Sequence, residues 1–365
     1  MMAAPVPVTA EDLARLLARE CPPAGIELAG AVALPCPLPH KDRWLRWVAE
    51  GRDGNLEYLR RDPEQRADPT RRNLDARSLL IMAHRYTAGW PKDRSEPAAG
   101  GWAPEEASWL GRVSRYARGR DYHVVLLKAM RRVLQGLKQE WPDLAAHAST
   151  DTGPYLEREY AWLAGLGFLG HNRCLIHETL GSGLFLGVAL TNLEIAGLPP
   201  GGAPAPEPLF ALAARQRRPI TTAPWDRCGN CSRCLDACPT GALDLVHGLD
   251  AHLCLSSWTI EWRGRAPQGR EHEQGGILFG CDICQAVCPW NRKADRKAEG
   301  LPDPVADYAP LEEHRELTLA DLVDLSDDEF RRRFRRTPIW RCHPEGIRRN
   351  AARVRSNLRK GADPT

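Results

Sequence analysis

Apolar side chains recur along this chain at two spacings, helical and alternating, and the spacing predicts the elements. Leu13, Leu16 and Leu17 form a helical stripe behind Thr9, with Glu11 and Asp12 in the opening turn, so a helix capped by Thr9 is expected. Residues 26–34 read as a strand, and residues 42–59 show helical spacing through Leu45, Val48 and Leu59, broken at Gly51 and Gly54. Arg66-Ala-Asp-Pro69 reads as a loop, the apolar run at 78–86 as a buried strand, and residues 89–108 as a surface excursion. Val125, Leu126, Met130, Val133, Leu134 and Leu137 predict a long helix over 124–141. A short strand at 145–150, a helix from Tyr155 to about Leu163 and a strand at 184–190 follow. Helical patterning returns at 317–334, and a last helix is expected over 341–360, starting near Pro344.

Composition divides this series. Five prolines, Pro199, Pro200, Pro204, Pro206 and Pro208, stand in a Pro/Gly/Ala-rich stretch that reads as a linker. The expected organisation is 1–195, a linker at 196–222, a cysteine-rich unit at 223–300 and a helical segment at 301–365. With 43% hydrophobic and 27% charged residues the chain has an ordinary globular balance. No apolar run reaches the 18 or so residues of a membrane span. The start, Met-Met-Ala-Ala-Pro-Val-Pro, shows no export signal, so a cytoplasmic protein without a membrane partner is expected. Net charge is +3, but residues 1–330 hold 38 basic and 45 acidic side chains (−7), while the last 35 carry +10. A basic end on an acidic body points to a polyanion, most simply nucleic acid; a solvated basic helix is the plainer reading.

Chemistry concentrates late in the chain. Cys228, Cys231, Cys234 and Cys238-Pro239 form C-x2-C-x2-C-x3-C-P; Cys254 stands alone; Cys281, Cys284 and Cys288-Pro289 repeat the pattern. That spacing wraps 4Fe–4S clusters, three thiolates on one cluster and the cysteine before proline on the other. Cys228, Cys231, Cys234 and Cys288 are assigned to the first cluster, and Cys238, Cys254, Cys281 and Cys284 to the second. Zinc is the competing reading of C-x2-C pairs, but a zinc ribbon leaves the triplet and the cysteine–proline step unexplained. Cys21, Cys36, Cys174 and Cys342 read as packing.

In the first half, Asp151-Thr-Gly-Pro154 ends a predicted strand, and glycines follow at 165, 167 and 170. Asp151 is a candidate proton donor, with a turn or capping Asp as the plain alternative. The glycines permit close approach of a ligand or equally tight packing.

These islands, with Gly119-Arg-Asp-Tyr-His123, Glu157-Arg158, Ala164 to Asn172, Ser257-Trp-Thr-Ile-Glu261, Cys288-Pro-Trp-Asn291, Glu329 to Phe334 and Arg348-Arg-Asn350, stand in an order that resembles epoxyqueuosine reductases. The resemblance spans about residues 40–350. It implies an α+β chain: an N-terminal α/β cobalamin-binding domain, a bacterial ferredoxin-like double 4Fe–4S domain and a short basic helical tail, without the C-terminal helical-repeat domain of many relatives. It implies an oxidoreductase that converts the epoxide of epoxyqueuosine to queuosine at the wobble position of tRNA, using base-off cobalamin, two 4Fe–4S clusters and an external electron donor, as a monomer. Asp151 falls at the general acid, Arg66, Leu175 and Ser256 at cobalamin-lining positions, and Arg115 near the tRNA nucleotide. Arg335, Arg336, Arg348 and Arg349 then become phosphate contacts. His171 departs from the lysine usual in the family. Rival readings are a cobalamin iron–sulfur reductase of a small molecule, which tRNA binding would exclude, and a non-catalytic ferredoxin-type carrier, which corrin binding would exclude.

Overall fold

A five-stranded sheet with helices on both faces positions everything else. The computed structural model describes residues 4–71, 75–87, 109–212, 218–264, 269–297, 301–314 and 317–362; the excursion expected at 89–108 lies outside the described residues. In chain order come β1 (Val6–Thr9), α1 (Ala10–Glu20), β2 (Leu28–Ala33), α2 (Lys41–Ala49), α3 (Pro63–Ala67), β3 (Ser78–Arg85), α4 (Tyr122–Glu140), β4 (Ala146–Ser149) and α5 (Glu157–Leu163). Then follow the small hairpin β5 (Phe168–Leu169) and β6 (Leu175–Ile176), β7 (Leu184–Thr191), β8 (Leu193–Ala196) and β9 (Phe210–Ala211). Thr9 caps α1 as expected, its Oγ1 accepting the Asp12 N–H at 3.1 Å.

The sheet order is β4-β7-β3-β2-β9, and every ladder in it is antiparallel; Ile81 pairs with Gly30 on one side and Val188 on the other. This corrects the expected α/β arrangement. A strand buried on both faces reads as an unbroken apolar run, the usual mark of a parallel sheet. Here β3 is sandwiched within an antiparallel one: Leu79, Ile81 and Ala83 face the α5 side, and Leu80 and Met82 face α1 and α4. Two glycines allow the close approach. A Cβ on Gly30 would stand 2.3 Å from the Ala164 carbonyl oxygen, and one on Gly187 2.3 Å from Met130 Sδ on the other face.

Two further expectations change. Arg66 and Ala67 belong to α3, which Asp62 caps by accepting the Gln65 N–H (3.0 Å) with Pro63 in the first turn. Five residues are too few to show a helical period. The stretch 196–222 is no free spacer: Phe210 and Ala211 add the edge strand beside β2, and Ile220 joins the core.

The cysteine-rich part holds α6 (Arg233–Asp236), the hairpin β10 (Leu243–Asp244) and β11 (Gly248–Leu249), α7 (Leu255–Ile260), α8 (Ile283–Ala286) and α9 (Pro289–Lys297). The end of the chain forms α10 (Leu319–Val323), α11 (Asp327–Phe334) and α12 (His343–Ala362). It is a packed layer rather than a tail. Ile347, Ala351 and Val354 of α12 meet Phe330 and Phe334, and this cluster continues into Trp109, Leu278 and Phe279. Each large buried side chain contributes roughly 1.5–3 kcal/mol, well above what scattered surface charges cost. Apolar spacing, not charge, therefore decides how this segment sits.

Candidate active site

Asp151 stands two residues beyond the end of β4, where the chain leaves the sheet. Its φ is 55°, in the left-handed region, which costs a residue with a Cβ roughly 1–2 kcal/mol. Neighbouring side chains hold it there. The Asp151 N–H donates to Glu157 Oε1 (2.8 Å), and Tyr122 Oη donates to Asp151 Oδ2 (2.7 Å). His123 Nε2 stands 3.8 Å from the same oxygen, yet the Asp151 side chain remains 67% exposed. Tyr122 is itself fixed, stacked on Phe185 with ring centroids 4.3 Å apart.

Residues distant in sequence complete the site. Arg66 donates from Nη2 to the Tyr58 carbonyl (3.1 Å) and lies over the Tyr58 ring at 5.7 Å. Arg341 lies over the same ring at 5.8 Å and donates to Glu261 Oε1 at 2.9 Å. Burial pushes the Tyr58 hydroxyl up to about 12 and pulls the Arg66 guanidinium down, and both groups feel the Asp151 charge. Tyr58 and Arg341 carry no signal in the sequence: they belong to no spaced motif, and only the fold brings positions 58, 151 and 341 together.

Burial, then the neighbouring Asp151 charge, pushes the Glu157 carboxyl up to about 8. Folded protein thus keeps a proton that the unfolded chain loses above the ordinary carboxyl range. Stability should fall as pH rises from about 5 to 8, approaching roughly 1.4 kcal/mol per pH unit from this one group. Denaturant titrations at fixed pH should show that slope flattened in Glu157→Gln; superimposable profiles for the two proteins would refute it.

The other expected positions fall in different surroundings. Ser256 lies in the first turn of α7, near Cys254, and its N–H points at the Cys254 sulfur. Arg115 donates its backbone N–H to Asp282 (2.8 Å), the residue after Cys281. Leu175 does not line the cleft: it is 4% exposed, paired with Leu169 and packed in the core, because an apolar residue in a two-residue strand turns inward. The glycine-rich stretch is tight packing. A Cβ on Gly165 would stand 2.5 Å from the Glu207 carbonyl, and one on Gly167 2.5 Å from that of Ile176.

Four of the eight motif cysteines, Cys228, Cys231, Cys234 and Cys288, line one cavity of about 180 Å³ with His171, Asn172 and Trp290. His171 donates its N–H to Cys228 Sγ (3.4 Å), and its Nδ1 lies 3.0 Å from the Cys231 carbonyl oxygen. Position 171 therefore faces the sulfurs. The other four are neighbours as well: Cys254 and Cys281 each feel Cys238, and Cys284, beside Cys174, feels Cys281 and Cys254. The Ala242 N–H donates to Cys238 Sγ at 3.3 Å. Backbone N–H groups aimed at sulfur tune a cluster's potential.

The basic end divides into two kinds of arginine. Arg335 and Arg336 are exposed and line a cleft of about 680 Å³ with Arg120, Arg331, Arg332 and Arg333. Arg348 and Arg349, expected as phosphate contacts, are instead struts held within the protein. Arg348 donates to Asp327 (2.6 Å) and the Leu325 carbonyl (2.8 Å); Arg349 donates to the carbonyls of Trp262 (2.8 Å) and Gly264 (3.1 Å). Burial pulls the Arg349 guanidinium down to about 10. A count of charges along the sequence does not show which side of α12 meets carbonyl oxygens. Among the described residues no helix is long and apolar enough to cross a membrane.

Known proteins share this layout. Residues 66–152 match the family described as epoxyqueuosine reductase QueG, DUF1730, and residues 227–291 match a 4Fe-4S double cluster binding domain. The epoxyqueuosine reductase of Gloeobacter violaceus is 37% identical over 311 residues, covering 84% of this chain and 83% of that protein. That of Xanthomonas campestris is 31% identical over 353 residues, covering 96% and 88%. A crystal structure of epoxyqueuosine reductase with an epoxyqueuosine-modified tRNA-Tyr stem loop superposes with a TM-score of 0.74 at 26% identity, covering 96% of this chain and 82% of that one. The Bacillus subtilis enzyme, captured with its catalytic aspartate loop swung out of the active site, gives 0.73 at 25%, covering 97% and 84%. With relatives this similar over most of both chains, the chain belongs to the epoxyqueuosine reductase family of oxidoreductases.

Proposed function

We propose that this protein reduces the epoxide of epoxyqueuosine to queuosine in the anticodon of tRNA, with Asp151 as the proton donor. One observation carries the reading: an exposed carboxyl held in a left-handed turn, one oxygen engaged by Tyr122 and its backbone N–H by Glu157. Such a group is steered by fixed partners yet open to a substrate, as a general acid must be.

Opening the epoxide breaks a C–O bond, and the oxygen must leave protonated. With Oδ2 accepting from Tyr122, Oδ1 is the Asp151 oxygen free to carry the proton outward. Exposure to solvent lets it be recharged after each turnover. The carboxyl beside it, on Glu157, holds its own proton near neutral pH and so adds no second negative charge to the site.

Cobalamin fits residues of α3, β4 and α7. Arg66 Nε, Ser149 Oγ and Ser257 Oγ are buried without partners, and a corrin bordered by amides offers both donors and acceptors for such groups. Arg66, Ser256 and Ser257 would hold it. The family likeness implies the base-off form, and His252 is engaged elsewhere, its Nε2 lying 3.0 Å from the Gly51 carbonyl oxygen. When bound, the corrin supplies two-electron chemistry that one-electron clusters do not. The eight cysteines, as two 4Fe–4S sets, would relay electrons from an external donor.

The tRNA backbone would lie along the Arg120–Arg336 cleft, with Arg115 toward the nucleotide and the unstacked base entering the Asp151 site. Binding of an anticodon stem loop should weaken steeply with salt. Replacing Arg335 and Arg336 together with Ala should lower the log–log salt slope by about 2, near 1 for each phosphate no longer neutralised. A flat salt response in the unmodified protein would refute the placement.

The deciding experiment is nucleoside analysis of epoxyqueuosine-containing tRNA after incubation with cluster-loaded protein, cobalamin and a strong reductant. Queuosine should accumulate. Unchanged epoxyqueuosine would sink the proposal.

A further inference from the structure

The two cysteine sets occupy different surroundings. The second lies on the Asp151 side: Tyr116 packs edge-on against Tyr122 (ring centroids 6.1 Å apart), which bonds Asp151, and it borders Gly280, the residue before Cys281. Asp282 accepts the Arg115 N–H, and Ser256 at the start of α7 borders Cys254. The first set instead lines a cavity whose wall carries three cations, Arg227, Arg233 and Lys293, and no carboxylate. Arg227 is a strut, paired with buried Glu178 at 2.6 Å and bonded to the Arg218 and Pro219 carbonyls. Arg233 and Lys293 are exposed, as is Arg292 beside Lys293 on α9. Lys293 stands 4.9 Å over the Trp290 ring at the cavity's edge. Two exposed acids, Asp226 and Asp236, lie on the same segment but face Thr221 (2.8 Å) and Ser232 (2.7 Å). Arg173, next to the His171–Asn172 wall, reaches the Asp244 carbonyl at the base of a hairpin whose tip exposes Leu245 (52%) and Val246 (74%).

We infer that this rim, Arg233, Arg292 and Lys293 with the neighbouring apolar hairpin tip, is the docking surface for an acidic one-electron carrier protein. The inference rests on the electron-relay reading above. Electrons needed at Asp151 must enter at the set farther from it, and there the chain presents exposed positive charge over sulfur. Positive rims matched to negative partners raise the rate of encounter and fix orientation. The electron count closes. Each docking oxidises the reduced carrier by one electron and reduces the first cluster by one. Two dockings with two protons convert an epoxide to an alkene and water. The cleft at Arg335 and Arg336 is a separate cationic surface with no cysteine in its wall, which assigns RNA there and the carrier here.

A purified bacterial flavodoxin serves as the probe, titrated calorimetrically into cluster-loaded protein at low and high salt. Binding should weaken with salt, and the Arg292→Glu, Lys293→Glu double variant should raise Kd about tenfold at low salt. Iron content, affinity for the tRNA stem loop and dithionite-driven epoxide reduction should stay as in the parent protein. Arg233→Glu should act in the same direction, checked by the same iron assay. An unmoved flavodoxin Kd overturns the inference, as does a loss of tRNA affinity in the double variant, which would make the rim an RNA surface. Flavodoxin binding that obeys these charges in a protein unable to reduce epoxyqueuosine would support the docking site while refuting the assigned reaction.

Discussion

Asp151→Asn is expected to lower kcat for epoxyqueuosine reduction by about 10²–10⁴, the range for losing a positioned general acid, while KM for the tRNA stays near its parent value. The substitution keeps the shape and an oxygen that can accept from Tyr122, so the turn should persist. What disappears is the proton. A loss confined to kcat marks an interaction made in the transition state, whereas a rise in KM alone would mark ground-state binding. Single-turnover assays across pH separate these outcomes. A variant that retains kcat within a few-fold would remove Asp151 from the chemistry and leave it as a turn residue, the plain alternative its sequence position allows.

The second large effect concerns Cys254. It stands alone in sequence, 16 residues after Cys238, yet it precedes α7 with the Ser256 and Ser257 N–H groups directed at its sulfur. Cys254→Ser should cost about half of the bound iron, since one complete set of four remains, and should reduce epoxide turnover to background. Cys36→Ser is the matched control, a buried cysteine of the core outside both sets, and should leave iron content unchanged. Iron and zinc analysis of anaerobically prepared protein reads both. Full iron in Cys254→Ser, or zinc in place of iron in the parent, would refute the assignment of ligands.

Much of this was legible in one dimension because the signals are local. Thr9, Glu11 and Asp12 start α1 within a single turn, and Leu126, Met130, Val133 and Leu137 repeat on one face of α4. Cysteine spacing encodes cluster geometry, since three thiolates, each separated from the next by two residues, converge through one tight bend of backbone. Other features needed the fold. Strand direction did not follow from β3, whose apolar run is the same in a parallel or antiparallel ladder. Nor did charge distinguish Arg335 and Arg336, which line a cleft, from Arg348 and Arg349, which hold carbonyl oxygens.

Local spacing was enough for the long helices α1 and α4, the Cys–Pro motifs and the aspartate turn, because each depends on neighbours a few residues apart. Folding alone brought Tyr58, Asp151, Glu157 and Arg341 into one site, put Leu175 in the core and set Cys228, Cys231, Cys234 and Cys288 under exposed cations. Those facts depend on contacts between residues far apart in the chain. Burial of the apolar faces brings such residues together, and no spacing along the chain records them.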